Sequence, residues 1–278
     1  MKYKITTWGA VLLGLVAGGI RVAQYLFTLD GEGAFDLNTP LAGRQSQLLT
    51  LLLCVGVLFV LVMSFFDRNE EAHLSTLYGN GLTHRLLFGL VGLILLVVGG
   101  ITLAQAVPHM DRAGIISGGS ALLGAIGWLG MLHSPKRAGL MSVLPVLWAI
   151  VQLVQCFWRT YKYVHNTTFI LEMLGWCSVL CLVTALARVI VGAEVSKGRL
   201  SMVAGFGLVL LPAAFVAPVV RFSPHNLLTA LWAAALVLLA ALTLYALRHW
   251  DPESPDELQS PDLSELEVLL ESIPDPEE

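Results

Sequence analysis

The chain has 278 residues, of which 56% are hydrophobic and 13% are charged. A soluble domain carries about 25% charged residues, so this chain has too little polar surface to cover its apolar residues in water. The composition therefore excludes an ordinary soluble domain and predicts that lipid surrounds much of the chain.

The charge is unevenly spread along the chain, whose formal net charge is −4. Eleven acidic residues and no Lys or Arg occur from Asp251 onward, so the first 250 residues carry a net charge of +7. This division predicts a polytopic transmembrane domain over residues 1–250 and an acidic cytoplasmic tail over residues 251–278. Because the basic residues are scattered among connecting segments, the sequence does not favour nucleic-acid binding.

Eight apolar runs are long enough to cross a membrane, since a helix needs about 20 apolar residues to span the hydrocarbon core. Helices are expected because lipid offers no partner to an unpaired backbone group, and the short alternating strands of a barrel are absent. The first run resembles a signal peptide, but it continues to Leu29 without a cleavage site and is predicted to be a retained span. The fold class is therefore an all-α integral membrane protein with about eight transmembrane helices in one bundle. The predicted spans are roughly 8–29, 48–66, 86–107, 114–133, 139–158, 168–192, 200–221 and 227–248.

The distribution of Lys and Arg among the connecting segments predicts the orientation. If the N-terminus lies in the cytoplasm, nine basic residues fall in inner segments and five fall in outer segments. Since cytoplasmic segments carry the excess of basic residues, we expect a location in the plasma (inner) membrane with both termini in the cytoplasm.

Two patterns in the spans each have two interpretations. Segments of spans one to three align with segments of spans five to seven, which indicates either a 4+4 parallel internal repeat or a chance match between apolar sequences. Small residues recur at helical spacing in two spans, where they indicate either close packing within the chain or a homodimer interface. They are Gly14 and Gly18 in span one, and Ser117, Ser120, Ala121, Gly124 and Gly127 in span four.

Polar side chains within the spans are the candidate ligand-binding residues, because such groups are costly in lipid and often mark a site. They fall at similar depth near the predicted outer face, and we expect them to line one outward-facing polar cavity. Its charged members would be Arg21 and Glu172, and the planar guanidinium of Arg21 could clamp a carboxylate or phosphate. The candidate residues are Arg21, Gln24, Gln105, Gln152, Gln155 and Glu172.

Simpler roles stay open for the same residues. Arg21 could extend its stem toward the outer headgroups. Glu172 could occupy the first turn of its helix, where the helix dipole favours a carboxylate. The glutamines could be interhelical hydrogen-bonding groups.

Sequence motifs for catalysis are missing. No HExxH, GxSxG, Walker or dinucleotide-binding pattern occurs, and no pair of histidines has metal-ligand spacing beside a carboxylate. The four cysteines lie inside apolar runs, where small buried hydrophobic residues are expected. The sequence therefore predicts no cofactor and no metal, and an enzymatic function is disfavoured although not excluded.

The tail contains a short amphipathic pattern at 261–273, in which Leu263, Leu266, Leu270 and Ile273 recur at helical spacing. A segment of about twelve residues is too short for a stable isolated helix. The tail is thus either a disordered solubilising segment or a helix that docks in the groove of a cytoplasmic partner protein.

Two functions follow from these features. The first is a transporter or small-molecule-binding membrane protein with an outward-facing polar cavity. The alternative is a non-enzymatic membrane subunit or sensor that recruits a cytoplasmic partner through its acidic tail.

Overall fold

The computed structural model describes nine segments of the chain, and nearly all of the described residues are helical. The tail from residue 251 onward, with its predicted helix at 261–273, lies outside the described residues. The described residues are 2–27, 40–65, 71–72, 81–133, 139–162, 167–191, 193, 195–216 and 224–249. The helices are α1 (Lys2–Phe27), α2 (Pro40–Phe65), α3 (Gly81–Ala106), α4 (Arg112–His133), α5 (Val143–Lys162), α6 (Thr167–Ile190), α7 (Lys197–Leu211) and α8 (Pro224–His249).

Eight helical segments, each 19 to 22 residues long, are apolar enough to cross a membrane. At about 1.5 Å per residue, such segments match the thickness of the hydrocarbon core. Each begins within three residues of its predicted start, so the prediction of eight spans is confirmed. The chain is a multi-pass membrane protein built as a helical bundle. The 4+4 repeat and the orientation of the termini stay predictions.

Helix α7 is the most enclosed of the spans. Within its apolar window 61% of the residues are buried, whereas the value for α1, α2 and α3 is 28%. It packs on α1, α2 and α6, and a Cβ atom placed at Gly207 would lie 3.3 Å from the Ala240 side chain of α8. A helix in this position can be apolar on every face.

Glycines let α1 approach α7 closely. A side chain at Gly14 would overlap the backbone carbonyl oxygen of Leu208, and one at Gly18 would lie 3.3 Å from Pro212. The second contact lies four residues later on both helices, so α1 and α7 run parallel. The glycine stripe of span one thus packs within the chain, while the homodimer stays a prediction.

Helix α7 changes to a π-helical turn at Pro212–Val216. Pro212 has no backbone N–H, so it cannot donate to the carbonyl of Leu208 four residues earlier. This turn, which we call the π turn, contacts both α1 and α6. On α6, a Cβ atom at Gly175 would lie 2.7 Å from the side chain of Ala214.

The small residues of α4 allow both α3 and α5 to approach it closely. Gly118 packs against Leu103 of α3, where a Cβ atom would lie 2.8 Å from its side chain. On the other side, a Cβ atom at Gly124 would lie 3.0 Å from Trp148 of α5, and one at Gly127 would overlap Pro145. Packing between adjacent helices accounts for the stripe of span four.

Two short strands, which the sequence did not predict, pair the α2–α3 and α6–α7 connections. Strand β1 (Glu71–Ala72) is antiparallel to β2 (Val195–Ser196). Ser196 also caps α7, since its hydroxyl accepts a hydrogen bond from the backbone N–H of Arg199 at 3.3 Å. The strands therefore lie at the opposite end of α7 from the π turn.

Candidate functional site

Arg21 is a charged residue enclosed within a candidate membrane span. It belongs to the apolar segment Ile5–Leu26 of α1, and its side chain is only 1% exposed. Its Nη1 donates to Oε1 of Gln24 at 2.8 Å, and its guanidinium carbon lies 4.9 Å from the centre of the Tyr25 ring. The side chain thus lies inside the helical bundle and does not extend along the lipid-facing surface.

The helical period explains why Arg21 faces the interior. Gly18 follows Gly14 by four residues and Arg21 follows Gly18 by three, and residues at this spacing share one face of a helix. Because Gly18 packs on Pro212, Arg21 lies about one helical turn farther along the face that contacts the π turn.

Gln24, the partner of Arg21, is fully buried. Its Nε2 also lies 3.5 Å from Oγ of Ser46 on α2. Together Arg21, Gln24 and Tyr25 form what we call the Arg21 site, in which the side chain of Gln24 fixes the direction of the guanidinium. A guanidinium held in this way presents a planar fork of donors suited to carboxylate or phosphate oxygens.

A second polar group joins α4 to α5, and we call it the Gln152 cluster. Nε2 of Gln152 donates to the hydroxyl oxygens of Ser117 at 3.0 Å and Ser120 at 3.3 Å. The Ser117 hydroxyl donates in turn to Oε1 of Gln152 at 3.3 Å. One turn farther along α5, Nε2 of Gln155 donates to the carbonyl oxygen of Ala113 at 3.1 Å. Hydrogen bonds of this kind hold membrane helices together.

The remaining candidates occupy other positions. Glu172 is half-buried near the start of α6, and Gln105 is exposed near the end of α3. Within the described residues, the hydrogen bonds place Arg21 with Gln24 and place Gln152 with serines of α4, and no described hydrogen bond joins the two groups. A single cavity lined by all six residues stays a prediction. The predicted partner-binding residues Leu263, Leu266, Leu270 and Ile273 lie outside the described residues.

Sequence reasoning missed an aromatic cluster formed by Trp148 of α5, Trp176 of α6, Trp232 of α8 and Phe215 of the π turn. Trp176 and Trp232 are stacked, with ring centres 5.4 Å apart and planes 28° apart. Trp148 meets both edge-on, at 5.4 Å and 78° from Trp176 and at 5.2 Å and 84° from Trp232. We call these four residues the indole cluster.

Among the described residues, the three indole N–H groups of this cluster have no hydrogen-bond acceptor. Trp148, Trp176 and Trp232 are 2%, 8% and 3% exposed, and among the described residues none of their Nε1 atoms has a hydrogen-bond partner. Buried indoles ordinarily donate to an acceptor, and each unsatisfied donor costs about 1–3 kcal/mol. Three such donors in one cluster require an explanation.

The sequence carried one signal for this cluster. Trp148 precedes Gln152 by four residues, and Trp176 follows Glu172 by four residues, so each tryptophan shares a helix face with a polar residue. The contacts between α5, α6 and α8 could not be read from this spacing. Lys197, one of the nine basic residues that the predicted orientation places in inner segments, is 4% exposed at the start of α7.

In the described part of the chain, no three His, Cys, Asp or Glu side chains come together. Cys177 is half-buried, and Cys181, one turn later on α6, is exposed. No protein family, no curated protein and no solved structure matches this chain.

Proposed function

We propose that this membrane protein binds a small molecule through an anionic group at Arg21 and carries it across the membrane. The observation that carries the proposal is the burial of Arg21, which is 1% exposed within a membrane span. A charge in this environment is costly, and such residues commonly mark substrate or ion pathways. The predicted topology would place the site nearer the outer face.

Arg21 is the contact for the ligand in this proposal. Its guanidinium forms paired hydrogen bonds to a carboxylate or phosphate, which gives both charge compensation and a fixed orientation. Gln24 positions the guanidinium through the 2.8 Å hydrogen bond, and the Tyr25 ring covers one side of it.

The π turn supports the transport part of the proposal. Transporters often place their substrate sites beside interrupted helices, and π turns within helices are frequent at functional sites. Here the π turn packs on both α1 and α6, the helices that carry Arg21 and Glu172. A shift of this turn would change the surroundings of both charges, so it is the proposed moving part.

The test compares Arg21→Gln with Arg188→Gln in the purified full chain. Arg188 is the control, because it is also an arginine within a span but is exposed, in the last turn of α6. The thermal unfolding midpoint is measured with benzoate, succinate, glycerol phosphate or inorganic phosphate. A bound ligand stabilises the folded state by about 2.7 kcal/mol at 100 times its dissociation constant.

We expect at least one of these anions to raise the midpoint of the unchanged chain and of Arg188→Gln but not of Arg21→Gln. Arg21→Lys keeps the charge and loses the planar fork, so it should respond weakly. An equal rise in Arg21→Gln, or no rise with any anion, would contradict the proposal.

A further inference from the structure

The indole cluster points to a ligand unlike the anion proposed for Arg21. We infer that Trp148, Trp176 and Trp232 bind an uncharged, lipid-soluble ring that carries carbonyl oxygens, a compound of the quinone class. The inference does not depend on the proposed role of Arg21, because it rests on residues of α5, α6 and α8 rather than α1.

The hydrogen-bonding capacity of the cluster selects this chemistry. An indole N–H can only donate, and Phe215 has no polar atom, so the four side chains supply three donors and no conventional acceptor. A water molecule would bring hydrogens that need acceptors of their own. A carbonyl oxygen only accepts, and a flat ring that carries it can pack edge-on against indoles that already stack on each other.

Charge and depth select the same class. The cluster contains no cation to balance a carboxylate or phosphate, which would be costly at this position. Trp176 and Trp232 lie six and five residues inside their spans, or about 8–9 Å below the span ends at 1.5 Å per residue. That depth is within the hydrocarbon core, where lipid-soluble quinones reside and where phospholipid ester carbonyls do not.

The helices that carry the cluster are open to lipid beside it. Leu147 and Leu231 directly precede Trp148 and Trp232, and both are half exposed. These leucines place the outer surfaces of α5 and α8 in the apolar phase, next in sequence to two indoles that are themselves 2% and 3% exposed.

Trp128 provides the internal comparison. It is also buried without a hydrogen-bond acceptor among the described residues, but its ring neighbour is Phe88, with ring centres 5.2 Å apart. It therefore supplies one donor beside one apolar ring, whereas the indole cluster supplies three donors beside stacked faces.

The test uses the full chain in lipid nanodiscs and decylubiquinone as the probe. Decylbenzene has the ring and the tail without carbonyls, and methyl laurate has an ester carbonyl without the ring. Ligand retained after gel filtration gives the affinity. Ultraviolet resonance Raman spectroscopy of the unchanged chain reports whether indole N–H groups gain an acceptor.

We expect decylubiquinone to bind, to shift the indole hydrogen-bond marker band, and to bind more tightly than either control compound. Trp148→Phe and Trp232→Phe keep a ring and remove a donor, so each should weaken binding about 3- to 10-fold, whereas Trp128→Phe should leave binding unchanged. Equal binding of decylbenzene or methyl laurate would overturn the inference. So would an absence of binding, an unshifted band in the unchanged chain, or equal effects of all three substitutions.

Discussion

The Gln152 cluster and the Arg21 site both place polar side chains within membrane spans, but they differ in what their hydrogen bonds connect. Gln152 bonds to two serines of a neighbouring helix, so its bonds hold α4 against α5. Among the described contacts, the short bond of Arg21 goes to Gln24 of the same helix, and Gln24 in turn lies 3.5 Å from Ser46 of α2. The first set of bonds joins two helices directly, whereas the 2.8 Å bond of Arg21 fixes the direction of a buried charge.

The largest effect is expected where α1 meets α7, because this contact fixes the surroundings of Arg21. Gly14→Ala would place a methyl group on the carbonyl of Leu208, and backbone cannot yield as a side chain can. We expect a loss of about 1–3 kcal/mol of stability, measured as a lower thermal unfolding midpoint. Gly19→Ala is the control, since no described residue of another helix lies within 4 Å of its Cβ position, and a similar loss in both variants would contradict the described contact.

The next prediction separates stability from binding. Gln152→Leu should lower the thermal midpoint, because Ser117 and Ser120 lose their hydrogen bonds to Gln152. The expected cost is about 1–2 kcal/mol. Arg21→Met should lower the midpoint less than Gln152→Leu does, because it removes a buried charge but also takes one donor from the buried Oε1 of Gln24. If Arg21→Met instead destabilised the chain more than Gln152→Leu, Arg21 would be a structural residue.

A double-mutant cycle sharpens the assignment of Gln152. Ser117→Ala and Gln152→Leu should be non-additive by about 0.6 kcal/mol and by no more than about 1.7 kcal/mol, the average and the maximum found for hydrogen bonds between membrane helices. Ser142→Ala is a control in place of Ser117→Ala, because its hydroxyl donates to Gly139 near the start of α5. Full additivity in the first cycle would show that the bond contributes nothing.

The smallest effect on the bundle is expected from the tail. Deletion of residues 251–278 should leave the thermal midpoint and the anion response unchanged, because both depend on residues before 250. The alternative function predicts that the same deletion abolishes capture of a cytoplasmic protein, measured by pull-down with the full chain as reference. Loss of the anion response after deletion would contradict the separation of the tail from the ligand site.

The sequence predicted the eight spans well because apolar length alone decides whether a helix can cross lipid. It also identified Arg21 and Gln152 as candidate site residues, since a polar residue is easily recognised within an apolar run. It could not decide whether Arg21 extends along the surface or points inward, because that depends on the packing of Gly18 against Pro212 in another span.

Contacts between distant segments were beyond the sequence. Gln105 stood at the predicted depth but is exposed, since depth along a helix does not determine the direction of the side chain. The indole cluster combines residues from three helices and the π turn, and the strands β1 and β2 are two residues each. Neither feature leaves a periodic pattern that can be recognised in one chain.

The most direct test of the ligand role of Arg21 is a structure of the chain in lipid with the most strongly stabilising anion bound. The proposal predicts an anionic oxygen about 2.7–2.9 Å from the Arg21 guanidinium, beside the π turn. An anion bound elsewhere, with the guanidinium occupied by a carboxylate of the chain itself, would contradict it.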